Sequence, residues 1–346
     1  MKLLGHHLVV PLPGGALLMR KRSAVVGAVL LVLSLIALFA AHWLGAYPIS
    51  VNRIVPLFFS GEGGVDQLIL LDVRMPRILV GVFVGGLMGM SGAIFQALMR
   101  NPLASPDVLG FNAGAAFGAL LTIFLFGSAA YVFWGAVAGG VLTALLVVAL
   151  SWHRGLDLFR LIMVGIGIGF TLLACADFLM SQLDIQRASD MAKWLVGSLG
   201  QVQREDIAPV AIAFVVLGAL GVVLQYFLDR LAFDEDLAAG LGLKVNGLRL
   251  FLVAVAVVMT ATAVAVAGPI PFVAFVSGPI ARQLSRTPSS ALILAAGIGI
   301  IVTLLSDTAA RTLVAAFQMP TGVFTALIGA PYLIWLLARQ AKRNLI

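Results

Sequence analysis

This sequence has little charge, a single cysteine and no nucleotide-binding signature. Only 11% of its 346 residues are Asp, Glu, Lys or Arg, against about 25% in an ordinary soluble domain, which leaves too little polar surface for a water-soluble globule. The one cysteine, Cys175, excludes an intrachain disulfide; it lies inside an apolar run and reads as a packing residue. None of Lys2, Lys21, Lys193, Lys244 or Lys342 follows a glycine, so a G-x-x-x-x-G-K-[ST] loop is absent and ATP is not bound through one. H-E-x-x-H and C-x-x-C are also missing, and His6, His7, His42 and His153 are scattered without metal-ligand spacing. No nucleophile and base stand at workable spacing, which argues against an intramembrane enzyme and leaves no catalytic, metal or cofactor residue to assign. The net charge of +7 does not signal nucleic acid, because the 22 Lys and Arg are spread between apolar runs.

Apolar length is what the chain has in abundance, with 61% hydrophobic residues. A membrane span takes about 20 of them. Runs bounded by polar or Gly/Pro breaks predict spans at 24–44, 77–99, 107–126, 130–152, 159–181, 207–228, 248–267, 270–280, 290–313 and 322–338. The eighth is too short to cross alone, and the prolines between Gly268 and Pro279 predict a broken helix packed inside protein. The expected fold is therefore all-α: a polytopic membrane bundle of about ten transmembrane helices over 24–338, with tails at 1–23 and 339–346. The first run follows Arg20-Lys21-Arg22 and exceeds a signal-peptide core of about 7–15 residues, so it reads as a retained helix. Placing the N-terminus inside puts 15 Lys and Arg on inner segments and 7 on outer ones, which favours both termini in the cytoplasm.

Small residues recur at spacing four: Gly81, Gly85 and Gly89; Gly110, Gly114 and Gly118; Gly135 and Gly139; Gly165 and Gly169. That spacing lines one helix face and predicts close backbone contact between spans, with a glycine-lined solute route as the lesser reading. Two acids fall inside spans, where ionisable groups are costly. Asp307 precedes Arg311 by four residues, which predicts an ion pair on one helix face; Asp177 has no such local partner.

The segment from Arg74 to Gly118 carries the most specific signal. Arg74-Met75-Pro76-Arg77 reads as an outer helix end with two outward-facing cations. Arg100-Asn101-Pro102-Leu103-Ala104-Ser105-Pro106-Asp107 reads as a rigid inner turn, with Asp107 able to cap the third span. Further along stand Asp157-Leu158-Phe159-Arg160-Leu161, Trp194-Leu195-Val196-Gly197-Ser198-Leu199, Ala239-Gly240-Leu241-Gly242, Gly268-Pro269-Ile270-Pro271-Phe272-Val273, and Pro320-Thr321-Gly322-Val323 followed by Gly329-Ala330-Pro331. In this order they resemble, over nearly the whole chain, the FecCD-type permeases of vitamin B12 and iron-siderophore ABC importers. Within that family the nearest likeness is to the ferric-enterobactin type.

The resemblance implies a type II ABC-importer permease subunit in the bacterial inner membrane, moving a ferric siderophore, of catecholate type by the nearest likeness, into the cytoplasm. Haem or cobalamin is the alternative cargo, and an ion-coupled secondary transporter the rival class. It implies a second permease subunit, a paralogue by the same likeness, two ATPase subunits holding ATP and Mg, and an external siderophore-binding protein; this chain itself would hold no cofactor. Arg74, Arg77 and Arg311 match positions that dock the binding protein. Asp234, Glu235, Ala239, Gly240 and Gly242, within 234–244, match the ATPase-coupling helix. Gly155, Leu156 and Asp157 match the cytoplasmic gate loop, with Asn101 and Pro102 as an accompanying turn. One departure is that Ser277-Gly278-Pro279 stands where relatives carry Pro-His, so a role for that histidine does not transfer.

Overall fold

The computed structural model describes all residues except 1, 5–6, 13–14, 46, 48, 60–63, 129–130, 154, 232–239, 241, 243, 288, 314–318 and 345–346. Ahead of the bundle, strands Lys2–Leu4, His7–Leu12 and Gly15–Arg20 pair as an antiparallel meander. Among the described residues, ten apolar helices of the bundle follow: Lys21–Trp43, Met75–Leu98, Phe111–Phe126, Val132–Ser151, Leu158–Gln182, Ile207–Leu231, Val245–Ala267, Val273–Ser285, Leu292–Thr312 and Thr321–Asn344. They are called the first to tenth spans below. Eight are long and apolar enough to cross a bilayer; the third is shorter and the eighth has only 13 residues. Helices Val51–Phe59 and Ile185–Leu195 lie between spans.

Proline decides several local shapes. Pro76 has no N–H to donate, and the turn before it widens to π geometry over Ile69–Arg74, with the Met75 N–H reaching back to the Leu70 carbonyl. In the eighth span, Pro279 likewise leaves the Phe275 carbonyl without its helical donor. The Gln96 amide of the second span donates to that carbonyl at 2.9 Å and accepts from Arg282 at 3.0 Å. Gly278 permits the approach, since a Cβ there would lie 2.2 Å from the Gln96 Oε1. The broken eighth span is thus repaired by a neighbouring helix, as non-helical backbone inside a membrane protein requires.

The second span is the hub and packs against the first, sixth, seventh, eighth and ninth. Its glycine stripe faces the ninth span: a Cβ at Gly85 would lie 2.6 Å from the Gly299 carbonyl oxygen, and one at Gly89 2.3 Å from that of Ala295. Gly114 and Gly118 meet Gly135 and Gly139 in the same way. Both pairings are the close packing that the spacing predicts. Cys175 departs from its sequence reading, being exposed on the fifth span of this chain near exposed Leu173, Asp177 and Phe178.

Candidate functional site

The glycine stripes run directly into charge. Continuing Gly89, Gly85 and Gly81 by one more step of four reaches Arg77, and continuing Ala295, Gly299 and Thr303 reaches Asp307 and then Arg311. Because the stripes face each other, Arg77 grips Asp307 through Nε at 2.9 Å and Nη2 at 2.8 Å, while Arg311 Nε lies 3.1 Å from the other carboxylate oxygen. Thr321, at the start of the tenth span, donates to Asp307 at 2.9 Å. Arg74 turns the other way and donates to the carbonyls of His42, Trp43 and Tyr47 at the end of the first span. Gly45 leaves room for it, as a Cβ there would approach its guanidinium to 2.6 Å.

Exposure corrects the expectation of outward-facing cations. Arg74 is 4% and Arg77 7% exposed, and Asp307 1%. The positions of Arg77 and Asp307 follow from the stripes: residues at spacing four share a helix face, so a charged residue in register with packing glycines points where the glycines point. Taking these charges out of water is costly unless geometry and added hydrogen bonds compensate, which the bidentate Arg77 contact and Thr321 supply. Close to this cluster an exposed pair, Arg53 with Asp66 at 2.7 Å, also receives the Tyr47 hydroxyl. That hydrogen bond, with the Asp66 charge, holds the Tyr47 phenol above its ordinary range.

Below the cluster lies irregular backbone that lines a cavity of about 950 Å³. Gly197, at φ 80°, and Gly268, at φ 69°, let the chain at 194–199 press against 267–272. Ser198 N–H reaches the Ala267 carbonyl at 2.8 Å, and Gly322 N–H reaches the Gly197 carbonyl at 2.8 Å. The cavity opens between this knot and the tenth span, and its walls are mostly apolar, with Ser105, Asp107 and Asn112 as polar members. Asp107 does not cap the third span. Gly110, at φ 76°, delays that helix to Phe111, and the Asp107 carboxylate instead accepts from Asn112.

The remaining predicted residues that the structure describes sit at the opposite end of the bundle from Arg77. Asn101 accepts the Leu103 N–H on its side chain at 2.9 Å and the Ala104 N–H on its carbonyl at 3.1 Å, which makes the Asn101-Pro102 turn self-supporting. Asp157 caps the fifth span through the N–H groups of Phe159 and Arg160. Leu156 is buried, and Gly155 packs so closely on Asn246 of the seventh span that a Cβ would lie 2.6 Å from it. Asp234, Glu235 and Ala239 lie outside the described residues; Gly240 and Gly242 are exposed, the latter at φ 81°, where glycine is favoured. Among the described residues no group of three or more His, Cys, Asp or Glu is arranged to hold a metal ion.

The profile of the FecCD transport family matches residues 26–339. This chain belongs to the FecCD family. It is 36% identical to the ferric enterobactin transport system permease protein FepG of Escherichia coli K12, over 87% of this chain and 91% of that one. It is also 33% identical to the hemin transport system permease protein HmuU of Yersinia pestis, over 92% and 96%. Among solved structures it resembles a metal-chelate type ABC transporter in an inward-facing conformation, at 29% identity and TM-score 0.80, covering 91% of this chain and 99% of that one. The FecCD chain is accordingly a polytopic ABC-importer permease of the class that serves siderophores, haemin and ferric citrate, built on the type II bundle its sequence predicts. Membership in a transporter family of this kind fits a subunit without catalysis of its own.

Proposed function

We propose that this chain is one half of an inner-membrane conduit that carries a ferric siderophore of catecholate type into the cytoplasm, with both termini on the cytoplasmic side. The observation that carries the reading is the cavity of about 950 Å³ between interrupted backbone and the tenth span. Its size falls in the range of small-molecule sites, about 300–1,000 Å³, and broken helices are where membrane transporters expose backbone to cargo. In this reading the other half is a paralogous permease. Two ATPase subunits bind ATP and Mg and act through 234–244, and 155–157 with 101–102 form the turn beneath the gate. The cargo-binding protein docks at the end that carries Arg74, Arg77 and Arg311. Because these guanidinium groups are already held internally, a docking carboxylate would have to share or replace Asp307 and the first-span carbonyls as partners.

The decisive test is uptake of radiolabelled ferric enterobactin into proteoliposomes. Uptake is expected only when the second permease, the ATPases, the binding protein and ATP are all present. Accumulation by this chain alone, collapsing with the proton gradient, would replace the reading with an ion-coupled carrier. Preference for haemin or cobalamin in the full system would reassign the cargo and leave the mechanism standing. Docking is expected to weaken as salt rises, since charge at a rim acts through steering and register.

A further inference from the structure

The inner packing of the sixth and ninth spans points to a mechanical joint that the sequence motifs do not mark. The ninth span opens after Ala291, held at φ 54°, and alanine offers no side chain to satisfy the free N–H groups of a first turn. One of those groups, the Leu292 N–H, and the turn that leads into it are held from another helix. Asp229, two residues before the end of the sixth span, accepts the Ser290 N–H at 2.7 Å and the Ser289 hydroxyl at 2.7 Å. Gln225, one turn earlier, accepts the Leu292 N–H at 3.1 Å and donates to the Ser289 hydroxyl at 3.3 Å. A carboxylate at a helix N-terminus is favoured by the helix dipole, and its hydrogen bonds are charge-assisted. Arg100, just past the second span, adds a donor to the Leu231 carbonyl at 3.2 Å.

We infer that Asp229 and Gln225 are positioning residues that weld the end of the sixth span to the start of the ninth, so that movement of the 232–244 segment is handed to the ninth span as a rigid body. That segment follows the sixth span in the sequence. The ninth span carries Asp307 and Arg311 at its other end and lies against the second along the glycine stripe, so a displacement entering at Asp229 reaches the Arg77 cluster without crossing a flexible linker. Packed helices with backbone contact move as units between discrete arrangements, which is what such a relay requires.

This inference rests on the ABC-importer reading, and the test separates the two. Spin labels at Tyr226→Cys and Ile293→Cys, both at exposed positions, are placed in a Cys175→Ser chain assembled with its partner subunits. Distances are measured without nucleotide and after trapping with ATP and vanadate. A weld predicts that the separation stays within about 2 Å, whereas independent helices would show up to the about 5 Å of a one-turn shift. The double substitution Asp229→Ala, Gln225→Ala is expected to broaden the distribution and separate the two states. A wild-type separation that changes by a full turn on trapping overturns the weld, as does a doubly substituted chain whose distances match wild type. The wild-type arm decides even where the double variant fails to assemble. A complex that traps no nucleotide at all would sink the ABC reading itself, a result distinct from either distance outcome.

Discussion

The second and fifth spans have the same mean hydropathy, yet 83% of the apolar window is buried in the helix that contains the second and 17% in the fifth. Both carry glycines at spacing four. In the second span Gly85 and Gly89 abut the Gly299 and Ala295 carbonyls, and Gly92 abuts that of Ala274. In the fifth, Gly165 and Gly169 meet Leu109 and Gly110, while Gly167 faces open space. Their charges differ in the same sense: Arg77 is buried in a network with Asp307, whereas Arg160 pairs with Asp157 at 3.4 Å with half its side chain exposed. Bilayer and protein interior are equally apolar, so hydropathy identifies a span without saying which medium it meets.

That contrast can be broken at five positions. The largest effect is expected for Asp307→Ala, which leaves Arg77 and Arg311 buried without their carboxylate. About 3–5 kcal/mol should be lost, read as a fall in the thermal midpoint of purified protein; a midpoint equal to wild type would mean the cluster is already solvated. Gly89→Leu comes next, because its side chain would meet the Ala295 carbonyl and overpack the seam, at a cost of about 3 kcal/mol. Recovery of folded, monodisperse protein in detergent is the measure, and normal recovery would show that the two helices are free to separate. Gln96→Leu should cost about 1–3 kcal/mol by leaving the Phe275 carbonyl and Arg282 without their partner. If a water takes that place, the loss will be smaller and the eighth span will stay ordered by hydrogen exchange. The fifth span supplies the contrast. Arg160→Ala should cost at most about 1 kcal/mol, as exposed pairs do, and Gly167→Leu should stay within about 0.5 kcal/mol, as surface changes do. A large loss at Gly167 in the isolated chain would erase the distinction between the two spans.

Much of the architecture was legible in advance. All ten spans stand where apolar runs predicted them, and the short eighth helix was foreseen from its prolines. The Asp307–Arg311 pair followed from spacing alone. Arg77 as partner to Asp307 was legible in principle, because extending each glycine stripe by four reaches both residues, but the alignment of the stripes is set only when the helices pack. The role of Asp107 was misread because Gly110 delays the third span, a backbone choice that an apolar run does not reveal. Gln96, Gln225 and Asp229 gave no local signal at all: their partners lie 179, 67 and 61 residues away.

The sequence by itself determined that this is a polytopic helical membrane protein, about how many spans it has, where each roughly begins, and which faces of them are smooth enough for close packing. It could do so because the cost of exposing polar backbone to lipid acts on every residue according to its own type. Tertiary structure alone decided which smooth faces meet, that the arginines turn inward, and where a cavity remains. Those outcomes depend on shape complementarity and on hydrogen bonds between residues far apart in the chain, and in a bilayer no difference in hydrophobicity favours one helix partner over another.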